Sequence, residues 1–148
     1  METGELSADR GGGAGVGRTR RIGRIGAVSH SHDSIEDFNA SRAAMNAKIF
    51  AAGNLTINRF FNLDTRAYEA GALDVKTKEM LGLVASLVLR CDDCITYHVL
   101  RCVEEGVTDP EIHEVFSIGL VVGGSIVIPH LRRAVARLEE ARHPPAGR

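Results

Sequence analysis

From Asp33 onward, apolar and polar positions along the chain repeat with the period of an α-helix, and capping residues and glycines punctuate the repeats. Asp33 and Glu36 form a capping pair ahead of a first helix on which Phe38, Met45 and Ile49 share one face, and Gly53 ends it. A second helix runs from about Leu55, with Ile57, Phe60 and Phe61 apolar, to Gly71. Asp74 caps a third. Its run Met80, Leu81, Leu83, Val84, Leu87, Val88 is apolar nearly all round, the mark of a central helix. A fourth carries Cys94, His98 and Cys102 and stops at Gly106. Thr108-Asp109-Pro110-Glu111 is a capping box with proline in the first turn, and it opens a fifth helix containing Ile112, Val115, Phe116 and Leu120. Gly123-Gly124 breaks that helix. A sixth, with Pro129 in its first turn, turns Leu131, Val135 and Leu138 inward before Pro144-Pro145. No segment alternates like a strand. The pattern predicts an all-α fold of about six helices, with the Cys-x-x-Cys pair at the start of a central one.

Residues 1–32 read differently. Gly11-Gly12-Gly13 and further glycines alternate with Arg18, Arg20, Arg21 and Arg24, and large apolar residues are scarce. Such a segment buries too little surface to offset its chain entropy, so a disordered tail is expected, with His30 and His32 solvated. Residues 33–143 form the helical domain, and 144–148 a short C-terminal tail.

Composition narrows the function. The chain of 148 residues is 44% hydrophobic and 25% charged, with formal net charge −1, as for one ordinary globular domain. Phosphate neutralisation leaves a basic excess that is missing here, and with 5% aromatics and no Trp there is little to stack on bases; no nucleic-acid partner is expected. The longest apolar stretch, Met80 to Leu89, is about half of what a bilayer needs, so no membrane is expected either. Three cysteines without a visible secretory signal fit functional thiols in a reducing cytoplasm better than a disulfide framework.

The candidate chemistry lies in Cys91-Asp92-Asp93-Cys94 and His98. Thiols three residues apart can close a disulfide with little backbone movement. On a helix, His98 lies one turn beyond Cys94 on the same face, where an imidazole can take the thiol proton and stabilise the reactive thiolate. If the third and fourth helices pack antiparallel, a rise of about 1.5 Å per residue places Glu79 beside the His98–Cys102 stretch, giving a Glu79–His98–Cys94 order. Cys102 shares that face and reads as a small buried hydrophobe. His130 can approach the site from the last helix, and Arg132, Arg133 and Arg137 read as a wet face of it. A zinc site is the rival, since Cys91, Cys94, His98 and Cys102 offer four ligands, but one continuous helix strings them along a face instead of wrapping an ion.

Read together, Glu79, Cys91, Cys94 and His98 make the arrangement E-x11-C-x2-C-x3-H. On an all-helical domain of this size it resembles the alkylhydroperoxidase AhpD-like branch of the carboxymuconolactone decarboxylase family, over roughly residues 38 to 140. The resemblance implies a thiol-dependent oxidoreductase of the alkylhydroperoxidase or disulfide-reductase type, an antioxidant enzyme with no cofactor and no metal. Glu79 would be the relay glutamate, Cys91 and Cys94 the redox pair, and His98 the histidine. One cysteine attacks a hydroperoxide or disulfide and the other resolves it. An external dithiol of lipoyl or thioredoxin type restores the pair. Cys94, the helical neighbour of His98, is expected to attack; Cys91, expected to be the more exposed, resolves and meets the reductant, although the two roles are exchangeable. The resemblance also implies a homo-oligomer, trimeric or hexameric. Better-studied peroxidase members often carry histidine where this chain has Asp93, and an acid beside a thiol raises its pKa. Decarboxylase members generally lack the cysteine pair, which sets a lyase acting on a lactone or acid as the alternative.

Overall fold

The computed structural model describes residues 34–144. The expected tail over 1–32, with His30 and His32, and residues 145–148 lie outside the described residues. Within them the chain is all-α: α1 (Ile35–Ala51), α2 (Leu55–Ala67), α3 (Val75–Leu89), α4 (Asp92–Glu104), α5 (Asp109–Gly123), a short 3-10 turn (Ser125–Val127) and α6 (Ile128–Arg142). α3 is central, packed against α5 on one side and α4 on the other, and α6 closes over α4. Leu83, Leu87, Ile95, Val99, Ile112, Phe116 and Leu138 fill the space between them.

Caps set most boundaries. Asp74 accepts from the Thr77 N–H at 2.7 Å at the start of α3, and Thr108 and Glu111 form the reciprocal capping box of α5. The cap of α1 differs from expectation. Ser34 is the N-cap, one position past the expected Asp33, which lies outside the described residues, and its hydroxyl accepts from the Asp37 N–H at 3.1 Å. α2 also stops earlier than expected, at Ala67, and an irregular connection follows.

The two N-terminal helices contribute little to the core. Phe38 is the buried residue of α1, whereas Met45 and Ile49, expected to share its inward face, are exposed; α2 buries none. α3 is less enclosed than its composition suggests, because Leu81 and Leu89 stand on an exposed stripe, while Ile118, Val121 and Val122 of α5 are exposed as well. The arginines of α6 do not make one wet face: Arg137 is half-buried and donates to Glu140 at 2.7 Å, and Arg133 donates to Asp92 at 2.9 Å.

The turn between α3 and α4 positions the candidate site. Arg90 adopts the left-handed conformation (φ 59°). Its N–H donates to the Leu87 carbonyl and that of Cys91 to the Ser86 carbonyl, both at 3.1 Å. This pair of bonds is the Schellman arrangement that closes a helix. Cys91 is at once the second residue past α3 and the N-cap of α4, so the reversal of direction uses two residues.

The capping box of α5 also ties that helix to α3, since Lys76 donates to Glu111 at 2.9 Å. The Thr108 N–H, Lys76 and the Thr108 hydroxyl together hold the Glu111 carboxyl down at about 2. A folded-state pKa below the unfolded value stabilises the fold above the unfolded value, and that contribution is lost as pH falls through the window between roughly 4.3 and the folded value. Glu111→Gln should therefore lower the melting temperature at neutral pH and flatten the acid limb between about pH 4 and 2. Thermal melts of both proteins against pH check this; parallel curves across that window would contradict it.

Candidate active site

Glu79 enters the core from the second turn of α3 and is only 1% exposed. A carboxylate this deep must be paired and hydrogen-bonded to remain charged. Two groups from α4 meet it: His98 Nδ1 lies 2.7 Å from Oε2, and Arg101 Nε donates to Oε1 at 3.3 Å. Arg101 continues outward to Glu104 and Glu105, which connects the buried carboxylate to a charged surface cluster. His98 and Arg101 are three apart on α4, so one helical face supplies both partners.

Where Nδ1–H donates to the Glu79 carboxylate, Nε2 is the ring nitrogen left to accept a further hydrogen bond. Nε2 faces the hydroxyl of Tyr68, the residue that caps the end of α2, at 3.5 Å. The rings of Tyr68 and Tyr97 flank the imidazole at centroid distances of 5.3 and 5.1 Å. Burial, and next the negative charge of Glu79, push the Tyr68 phenol above its ordinary pKa, so it remains a proton donor at neutral pH.

Gly82 makes this meeting possible. It lies one turn along α3 from Glu79, and a Cβ there would come within 2.6 Å of both His98 Cε1 and the Tyr68 hydroxyl. The absent side chain leaves a notch that the imidazole and phenol occupy.

Cys91 and Cys94 are joined by a disulfide, with Cα atoms 5.2 Å apart. Cys91 caps α4, and its sulfur accepts from the Cys94 N–H at 3.3 Å. Cys94 is exposed and, with His98, Tyr68 and Tyr97, lines a cavity of about 410 Å3 whose far wall is α1. The expected order of exposure is reversed: Cys91 is the half-buried sulfur, because an N-cap side chain folds back over its own helix. His130 does not line this cavity. It lies against the first residue of α4, with Nδ1 2.8 Å from Asp92 Oδ1, and Arg133 Nη2 is 2.9 Å from the same nitrogen. Burial pushes the Asp92 carboxyl up, but Arg133 and His130 outweigh it and hold the group below its usual range. Cys102 is fully buried and free. The four residues of the rival zinc reading do not converge: among the described residues, no three His, Cys, Asp or Glu side chains are placed to hold a metal ion.

The sequence profile of the carboxymuconolactone decarboxylase family matches residues 55–137. The chain belongs to the carboxymuconolactone decarboxylase family. A crystallographically determined protein from Thermotoga maritima is 62% identical, with a TM-score of 0.71 over 72% of this chain and 94% of that one. A second structure from that organism, 63% identical with a TM-score of 0.69, covers 71% of this chain and 89% of that one, and is named as a carboxymuconolactone decarboxylase family protein with a possible role in antioxidative response. Uncharacterized protein 4 of the cox locus of Paracoccus denitrificans is 29% identical over 60% of this chain and 80% of its own length. A Legionella pneumophila protein of the family, 24% identical over 72% of this chain and 95% of its own, shares the fold with a TM-score of 0.67.

Tyr68, Gly82 and Arg101 went unnoticed in the sequence. Gly82 and Arg101 each lie three residues from a candidate on the same helix, Glu79 and His98, and that spacing was a readable signal. Tyr68 lies before an irregular connection, and no local pattern points it at His98.

Two outcomes follow. Alanine is favoured over glycine inside a helix by about 1 kcal/mol, but Gly82→Ala must displace His98 or Tyr68, at a cost of roughly 1–3 kcal/mol. The variant should be no more stable than the parent and should alkylate Cys94 at least about tenfold more slowly, since a general base contributes about 100-fold or more. A stabilised variant with unchanged reactivity would remove the notch from the argument. Separately, burial and the Glu79 charge push the Cys102 thiol up to about 12. After reduction and brief iodoacetamide treatment of the native protein, mass mapping should find label on Cys91 and Cys94 and none on Cys102 until the chain is unfolded.

Proposed function

We propose that the protein is a thiol-dependent oxidoreductase of the alkylhydroperoxidase or disulfide-reductase type. The observation that carries this reading is the Cys91–Cys94 disulfide, whose Cys94 lines a cavity one helical turn from a histidine held by a buried carboxylate. In the reduced enzyme, His98 Nε2 accepts the Cys94 thiol proton and Glu79 balances the imidazolium. The thiolate attacks the distal oxygen of a hydroperoxide; the alkoxide leaves with a proton as alcohol, and Cys94 becomes a sulfenic acid. Cys91 displaces water from it and closes the disulfide. With a disulfide substrate, the same thiolate forms a mixed disulfide that Cys91 resolves.

The exposures favour Cys94 as the sulfur that an external dithiol, of lipoyl or thioredoxin type, attacks during recovery. Cys91 then leaves as a thiolate at the N-terminus of α4, where the Cys94 N–H stabilises the charge. That assignment moves the encounter with reductant from Cys91 to Cys94. Asp93 beside Cys94 favours exchange with disulfides over fast peroxide reduction. The cysteine pair also favours redox chemistry over lactone decarboxylation.

A homo-oligomer, trimeric or hexameric, is part of the proposal, supported by the exposed apolar stripes of α3 and α5 and by α2, no residue of which is buried within its own chain. No described helix is long and apolar enough to cross a membrane, and the cytoplasm is the proposed compartment because its thiol pools keep such a pair cycling.

The relay is tested by the alkylation or peroxide rate of Cys94 against pH in the parent, Glu79→Gln, His98→Ala and the double variant. Each single change should slow the reaction about 100- to 10,000-fold without abolishing disulfide closure. The double variant should be little worse than either, because both residues serve one proton. Fully additive losses, or an unchanged rate in Glu79→Gln, would make Glu79 only a structural acid. Peroxide turnover with a lipoyl or thioredoxin-type reductant, lost in Cys94→Ser, tests the activity itself.

A further inference from the structure

Among the described residues, the cavity in front of Cys94 is lined by more carboxylates than guanidinium or ammonium groups. Asp93, next to Cys94 on α4, and Asp64, on α2, both line it. Neither has an ion-pair partner among the described residues. The guanidinium on the opposite wall, Arg42, lies over the Tyr97 ring with Cζ 4.2 Å from its centroid, a contact that commits one face of the cation to the protein. The acids are thus two against one, and one of them adjoins the reacting sulfur in sequence.

We infer that this cavity selects its disulfide partners by charge, accepting those with ammonium or uncharged arms and rejecting those with carboxylate arms, with Asp93 and Asp64 as the specificity-determining groups. The inference rests on the dithiol reading above. In the reaction, the Cys94 thiolate attacks one sulfur of the incoming disulfide, forming Cys94–S–S–R and releasing one thiolate. Cys91 then attacks Cys94, closing the protein disulfide and releasing the second. Two electrons pass from the dithiol to the small disulfide, and both released thiolates take up the protons the cysteines lost. Each arm must pass within the cavity while its sulfur aligns with Cys94. A unit charge about 4 Å away in water alters such an encounter roughly fivefold, and clefts lined by one sign change association rates by about tenfold or more.

The test uses the full-length reduced protein at neutral pH and three small disulfides of similar size: cystamine, hydroxyethyl disulfide and dithiodipropionate. Single-turnover rates are divided by those of a small free thiol with the same reagents, which removes the reagents' own reactivity. The normalised rate for cystamine should exceed that for dithiodipropionate by about tenfold at low salt. The ratio should fall by roughly fivefold in Asp93→Asn, fall further when Asp64→Asn is added, and shrink in high salt. Glu114→Gln, an exposed acid outside the cavity, should leave it unchanged. A shift in the Cys94 pKa multiplies all three rates alike, so the ratio isolates charge selection from thiol activation. Equal normalised rates in the parent, or a ratio that survives both substitutions, would overturn the inference while leaving the dithiol reading intact. Failure of all three reagents to oxidise the pair would overturn the dithiol reading and the inference with it.

Discussion

The buried carboxylate of Glu79 is the constraint around which the rest of the molecule is arranged. An ionised group removed from water at the edge of an apolar helix is tolerated only when hydrogen-bonded counter-charges are fixed in place, and the cost of breaking such a pair is typically about 3–5 kcal/mol. Here the partners, His98 and Arg101, both come from α4. Sliding α4 by one residue along α3 would strand the carboxylate, so a single charge sets the register of two helices. Register in turn fixes where the start of α4 lies, and with it Cys91 and Cys94. The same contact occupies Nδ1 of the imidazole and turns Nε2 toward Tyr68. Helix register and the orientation of the imidazole are therefore specified by one interaction.

The parts of the fold legible in the sequence were those written in short-range physics. The capping residues Asp74 and Thr108, the glycine break before the 3-10 turn, and the apolar girth of α3 all act within a turn or two of themselves, and each marks its element. Glu79 and His98 could be placed near one another because two antiparallel helices joined by a short turn obey simple arithmetic. The inward face of α1 could not be read in the same way. Met45 and Ile49 have helical spacing with Phe38, but periodicity says only that a stripe exists, not that the same chain covers it. Tyr68 illustrates the other limit. Its contact with His98 spans 30 positions through an irregular connection, and nothing near Tyr68 encodes the destination.

The exposure of the two sulfurs departs from the sequence expectation for a physical reason. Proximity to a helix end suggests accessibility, yet the N-cap is the one terminal position whose side chain bends back onto the backbone it caps. Cys91 fills that position with sulfur in place of the usual oxygen, accepting the Cys94 N–H. The residue nearer the end is the more sheltered one, and the residue one turn inward faces the cavity.

The turn at Arg90 gives Cys91 two duties, closing one helix through its N–H and opening the next through its side chain. Cleaving the disulfide releases the covalent link to Cys94 but leaves both duties in force, and the thiolate so formed is a stronger acceptor for the α4 amides than the bonded sulfur was. Reduction thus exchanges a mechanical restraint for an electrostatic one at the same atom. Under the dithiol cycle proposed above, a joint held by alternate fasteners in its two states has little backbone to rearrange between them, and the pair of helices need not come apart.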